Sequence, residues 1–128
     1  MRIFIDSANI DEIKAAYAMG AISGVTTNPS IISRENRKFE DIMADITKIM
    51  VDGPIFAEVI ALDSEGMVKE GRELAKKSKN IIVKIPMIPE GLKACKTLAS
   101  EAIQVFVTVI FSASLAILAP YAGATYVA

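Results

Sequence analysis

The apolar runs of this chain end on residues that carry chemistry. Asp6 follows Ile3 to Ile5, Thr26 leads into Thr27 and Asn28, Glu58 closes the run that begins at Ile55, Lys84 lies inside IIVKIP, and Thr108 lies inside VFVTV. An amine, two carboxylates, hydroxyls and an amide suit covalent carbonyl chemistry. The amine adds to a carbonyl, one carboxylate moves a proton at the substrate, and the other positions a water.

Lys84 is the most informative of these residues, because the other lysines stand in polar or helical surroundings and only this one interrupts an apolar strand. With a period of two, Ile82 and Lys84 share one face, and Ile81, Val83 and Ile85 share the face that helices would cover. Desolvation disfavours an ammonium, and a lysine amine relieved of its proton can form an imine. Each residue also has a purely structural reading. Lys84 would be an edge-strand gatekeeper or a snorkelling side chain. Asp6 would be a helix cap, Glu58 a solvated strand end, and Thr108 an ordinary β-branched strand residue. Period alone does not choose between them.

Composition removes other chemistries. The 128 residues include no histidine and one cysteine, so there is no Ser-His or Cys-His pair, no imidazole metal ligand, no zinc cluster and no internal disulfide. No metal and no cofactor are expected. With 14 basic against 15 acidic residues and a pI near 5.5, no basic field exists for a phosphate backbone, so no nucleic acid partner is expected. The start MRIFID does not read as a secretory signal, and a lone cysteine suits a reducing, cytoplasmic setting. Ala102 to Ala128 carries no charge, but Gln104, Ser112, Ser114, Pro120 and Gly123 break it. It reads as strand, helix and strand, not as a membrane span.

The elements that must position these residues alternate. Continuous apolar runs at Ile3 to Ile5, Gly24 to Thr26, Ile55 to Val59, Ile81 to Ile85, Val105 to Val109 and Thr125 to Val127 predict parallel strands covered on both faces. Phe39, Ile42, Met43, Ile46, Ile49 and Met50 follow a helical face, and Ile10, Ile13 and Tyr17 do so more weakly. Asn9 and either Asp63 or Ser64 are expected caps, Pro29 and Pro89 suit first helical turns, and Gly20 suits a helix end. The prediction is one α/β domain over 1–128, with six strands and five helices. An open doubly wound sheet fits about 130 residues, whereas a (β/α)8 TIM barrel needs about 250.

FIDSANIDEI (4 to 13), GVTTNPSII (24 to 32), AEVIALDSEGM (57 to 67), VKIPMIPEGLKA (83 to 94), VTVIFSASLA (107 to 116) and AGATYVA (122 to 128) resemble the small transaldolases and the related fructose-6-phosphate aldolases. The resemblance spans the chain and implies a (β/α)8 TIM barrel, here its first six strands. It also implies Schiff-base transfer of a dihydroxyacetone unit between sugar phosphates in the non-oxidative pentose phosphate pathway, and homo-oligomers such as pentamers or decamers. By the same resemblance Lys84 forms the imine and Asp6 is the acid/base for carbon–carbon cleavage. Asn28 binds a substrate hydroxyl with Thr26 beside it, and Glu58 and Thr108 hold the catalytic water.

Departures from the family pattern add further expectations. Family barrels run on for about eighty or ninety residues past Ala128, through an arginine that binds substrate phosphate. The chain as given is therefore expected to be a fragment that holds sugar phosphates poorly. Glu58 is transaldolase-like, since the aldolase branch tends to carry Gln there; Ala128 is aldolase-like. Ile88 replaces a capping Thr at a cost of about 1 kcal/mol unless Pro89 and Glu90 compensate. Pro120 should kink or end its helix early. The rivals are the aldolase, a phosphoryl-accepting receiver domain, and a catalytically silent fragment.

Overall fold

A computed structural model describes all of residues 1–128. The chain divides into two compact units, Met1–Ala57 and Glu58–Ala128. The first contains β1 (Phe4–Asp6), α1 (Ile10–Ala18), β2 (Gly24–Thr26), α2 (Pro29–Ser33), α3 (Phe39–Ile49) and β3 (Ile55–Glu58), whose last residue opens the second unit. The second continues with α4 (Ser64–Lys77), β4 (Ile81–Pro86), α5 (Pro89–Ser100), β5 (Val105–Thr108), α6 (Ala113–Tyr121) and β6 (Tyr126–Val127).

In the first unit β2 lies between β1 and β3, parallel to both, with Asp6 opposite Thr26 and Thr26 opposite Phe56. One face of these strands is apolar, with Val25, Ile55 and Ala57 fully buried. The stripe predicted for α3 supplies Ile42, Met43, Ile46 and Met50 to the core, and α1 adds Ile13 and packs against α3. Tyr17 departs from the weaker stripe and is 40% exposed. On the opposite face Phe4 and Phe56 meet edge to face at 5.3 Å, and Gly24 makes room for the Phe4 ring, since a Cβ there would lie 2.9 Å from it. Between β2 and β3 there are two helices where one was expected, making six in all. Asn28 caps α2 through Oδ1 with Pro29 in its first turn, and α2 ends at Ser33. The left-handed backbone of Asn36 (φ 49°) precedes a fresh start at Phe39.

In the second unit β4 pairs with β5 and β5 with β6, all parallel, and the N–H of Val59 donates to the Lys84 carbonyl at 3.1 Å. β4 is thus bordered by β5 on one side and by the end of β3 on the other. A doubly wound sheet would reverse its strand order at a switch point; here the strands follow chain order. The fold class is α/β, with the successive βα units of a TIM barrel, and the preference that length gave to an open sheet is overturned. Val83, Ile85, Val105 and Val107 are fully buried under α4 and α5. Gly71 lets α4 approach, because a Cβ there would meet Leu98 and Val83. Cys95 is buried among these residues, and burial pushes its thiol up to about 11, so it is no thiolate nucleophile at neutral pH.

The expected helix signals fall out residue by residue. Asn9 caps α1 by accepting from the N–H groups of Asp11 and Glu12, Asp63 caps α4 through Gly66 N–H, and Gly20 follows α1 with φ 66°. Ile88 stands at the N-cap of α5 with no side-chain bond, as expected. Glu90 stands in the first turn of α5, and Pro89 in its first position. Glu90 also accepts from the N–H of Ser64 at 3.0 Å, at the start of α4, and pairs with Lys93. Pro120 lies inside the last turn of α6, which stops at Tyr121. No helix is long and apolar enough to cross a membrane.

Candidate functional site

The strand-end residues fall into one group per unit. In the first unit the Thr26 hydroxyl donates to Asp6 Oδ1 at 2.6 Å, an exposed pair at the ends of neighbouring strands. The β2 strand delivers Asn28 two residues later. Its Oδ1 accepts from Ile31 N–H at 2.9 Å, so the cap uses the carbonyl oxygen while the amide nitrogen takes no part in it. Thr27 differs from its neighbours: it is buried and donates to the Phe56 carbonyl at 3.0 Å, tying β2 to β3.

In the second unit Lys84 lies on the face opposite Val83 and Ile85. Its Nζ is 3.1 Å from Glu58 Oε2, with the two side chains 11% and 18% exposed. Strand register places Lys84 opposite Phe106 and Pro86 opposite Thr108, so Phe106 and Thr108 share the face of the amine. The Phe106 ring centroid lies 6.0 Å from Nζ, within range of a cation–π contact, and the Tyr126 ring meets that of Phe106 edge to face at 6.4 Å. Lys84 is neither an edge residue nor a snorkelling one. β4 has neighbours on both sides, and the side chain runs into a carboxylate and an aromatic face.

Thr108 is buried, and its carbonyl accepts from Met87 N–H at 2.8 Å, which fixes the end of β5 to the residue after β4. The next residue, Val109, has φ 64°. A β-branched residue in the left-handed region is strained, and the turn explains why β5 stops one residue short of the predicted Val109. The structure therefore gathers Lys84, Glu58 and Thr108 on one face of the second unit, and Asp6, Thr26 and Asn28 at the strand ends of the first. Phe106 was missed as a contact of the amine, although its place two residues before Thr108 puts it on the same face.

Sequence comparison supplies the family. A model of the transaldolase/fructose-6-phosphate aldolase family matches residues 3–128. The chain belongs to this family. It is 61% identical over 127 residues to a probable transaldolase of Clostridium acetobutylicum, a match covering 99% of this chain and 59% of that protein. Identity is 60% to a probable transaldolase of a Thermoanaerobacter species and 55% to one of Geobacter metallireducens, each over 127 residues, or 99% of this chain. Those matches cover 58% and 59% of the two relatives. The chain thus spans about three-fifths of the length of the curated relatives it matches. Membership of the transaldolase/fructose-6-phosphate aldolase family removes the receiver-domain reading.

Proposed function

We propose that this chain carries the covalent centre of a transaldolase, with residues 1–128 acting as one partial barrel domain. The observation that carries the reading is the Lys84 amine on a buried strand face, 3.1 Å from the Glu58 carboxylate. Lys84 Nζ attacks the ketone carbon of a ketose phosphate. Glu58 is close enough to take a proton from the amine and, through a water shared with Thr108, to return one to the departing hydroxyl as the carbinolamine loses water. The resulting iminium withdraws electrons from the adjacent carbon–carbon bond.

Asp6 then removes the proton of the hydroxyl on the carbon beyond that bond. The bond breaks, an aldose phosphate leaves, and a three-carbon dihydroxyacetone unit stays on Lys84 as an enamine. Addition of the enamine carbon to an acceptor aldehyde and hydrolysis of the new iminium complete the transfer. Asn28 and Thr26 bind substrate hydroxyls. The names of the relatives and the family match support this activity, and with it sugar-phosphate partners; a homo-oligomer and a cytoplasmic setting are part of the proposal. All the steps use amine, carboxylate and hydroxyl chemistry, so no cofactor enters the scheme.

The test is borohydride reduction in the presence of a ketose phosphate. It should leave a stable adduct on the peptide containing Lys84, and Lys84→Met should abolish both the adduct and turnover. An active protein whose Lys84 stays unmodified would refute the mechanism. The aldolase reading keeps the same covalent steps but releases free dihydroxyacetone, and Ala128 favours it. Turnover of fructose 6-phosphate without an acceptor aldehyde would decide for it.

A further inference from the structure

Glu58 is followed by a turn with little apolar anchorage: Ile60 is 72% exposed and Leu62 81%. Val59 ties this turn to β4 through the Lys84 carbonyl. The next two N–H groups, of Ile60 and Ala61, both donate to one oxygen of Glu70, Oε2, at 2.6 and 3.2 Å. Glu70 reaches back from α4 to do this, while Ala61 rests on Gly66, where an added Cβ would lie 2.7 Å from the alanine methyl. Water could satisfy the exposed Ile60 N–H and the half-buried Ala61 N–H, but it would leave their positions free. A carboxylate accepting both fixes the backbone.

We propose that Glu70 is a positioning residue, which locks the turn after β3 and so holds the Glu58 carboxylate on the Lys84 amine. This role rests on the Schiff-base reading above, and Glu70 itself contacts the turn and not the amine. Its effect is transmitted through the two peptide units that separate Glu58 from Ile60. Displacing a proton-transfer group by about 1 Å can cost up to about a hundredfold in rate, while losing a half-exposed clamp outside the apolar core costs the fold little.

The experiment uses the full chain with Glu70→Ala, Glu70→Gln and, as a control on the underlying chemistry, Lys84→Met. Glu70→Ala should speed hydrogen exchange at the Ile60 and Ala61 amides and slow borohydride-trapped imine formation and kcat at least about tenfold. KM should stay within about twofold, because substrate binding is untouched, and the thermal midpoint should move by less than about 3 °C. Glu70→Gln keeps an acceptor oxygen and should recover most of the rate. Wild-type imine formation in Glu70→Ala would overturn the proposal, as would a rate loss matched by lost thermal stability that Glu70→Gln does not recover. Activity surviving in Lys84→Met would instead sink the Schiff-base reading, whereas a dead Lys84→Met beside a normal Glu70→Ala would sink the positioning role alone.

Discussion

The two polar pairs at the strand ends differ in what water does to them. Asp6 and Thr26 form an anion–hydroxyl bond in the open, whereas Lys84 and Glu58 form an ion pair whose side chains are 11% and 18% exposed. An exposed hydrogen bond is worth about 1 kcal/mol and exchanges readily with a ligand hydroxyl. A mostly buried ion pair is seldom worth its desolvation as a structural device, since apolar residues of similar volume often serve a fold as well. β4 is otherwise Ile, Val and Pro, so an apolar residue at position 84 would suit the strand. Burial therefore sets the second pair apart in energy, while the first pair stays open to solvent.

The largest effect should separate stability from activity across these pairs. Glu58→Ala leaves the Lys84 ammonium mostly buried beside Phe106. Removing one partner of a fully buried pair costs about 3–5 kcal/mol, and residual exposure brings the expected loss here to about 2 kcal/mol by chemical denaturation. Adding Lys84→Met to Glu58→Ala should restore most of that loss, since the stranded charge disappears. Asp6→Asn should cost less than about 1 kcal/mol yet lower turnover about a hundredfold or more, as expected for loss of an acid/base group. If Asp6→Asn destabilised the protein more than Glu58→Ala, the contrast between the two pairs would be broken.

A middle-sized effect concerns the helices that frame β4. The start of α4 has side-chain acceptors from Asp63 and Glu90, while α5 starts at Ile88 with none. Asp63→Ala should cost about 1 kcal/mol, and Ile88→Thr should gain up to about that amount, both read from denaturation midpoints. An Ile88→Thr variant no more stable than the parent would mean that Pro89 alone already sets the entry of α5.

Much of this was legible in the residues. Period two placed Lys84 opposite Val83 and Ile85, period 3.6 gave the buried stripe of α3, and Asn9, Asp63 and Gly20 marked helix ends because their side chains or backbone freedom act locally. What stayed hidden depends on contacts between elements. Glu90 reads as support for its own helix and also serves α4, and nothing local to Glu70 announces that it binds the turn after β3. The extra helix α2 was half legible, since its Asn28 cap and Pro29 start are local signals while the left-handed turn at Asn36 is not. Chain order in the sheet could not be read from strand spacing, because length alone pointed to an open sheet.

The smallest effect tests the claim that exposure sets the energy of a pair. Lys93, and next the N–H of Ser64, hold the Glu90 carboxyl down to about 2, against an ordinary value of 4.5. A depressed folded-state value contributes stability above the unfolded value, and that contribution is lost as pH falls through the folded one. The thermal midpoint of the parent protein should therefore exceed that of Glu90→Gln at pH 5, and the gap should close between pH 4.5 and about 2. Because the pair lies in solvent, added salt at pH 5 should narrow the same gap, a response the Lys84–Glu58 pair should share only weakly. A gap that ignored both acid and salt would show that Glu90 acts through hydrogen-bond geometry that Gln does not reproduce, and not through its charge.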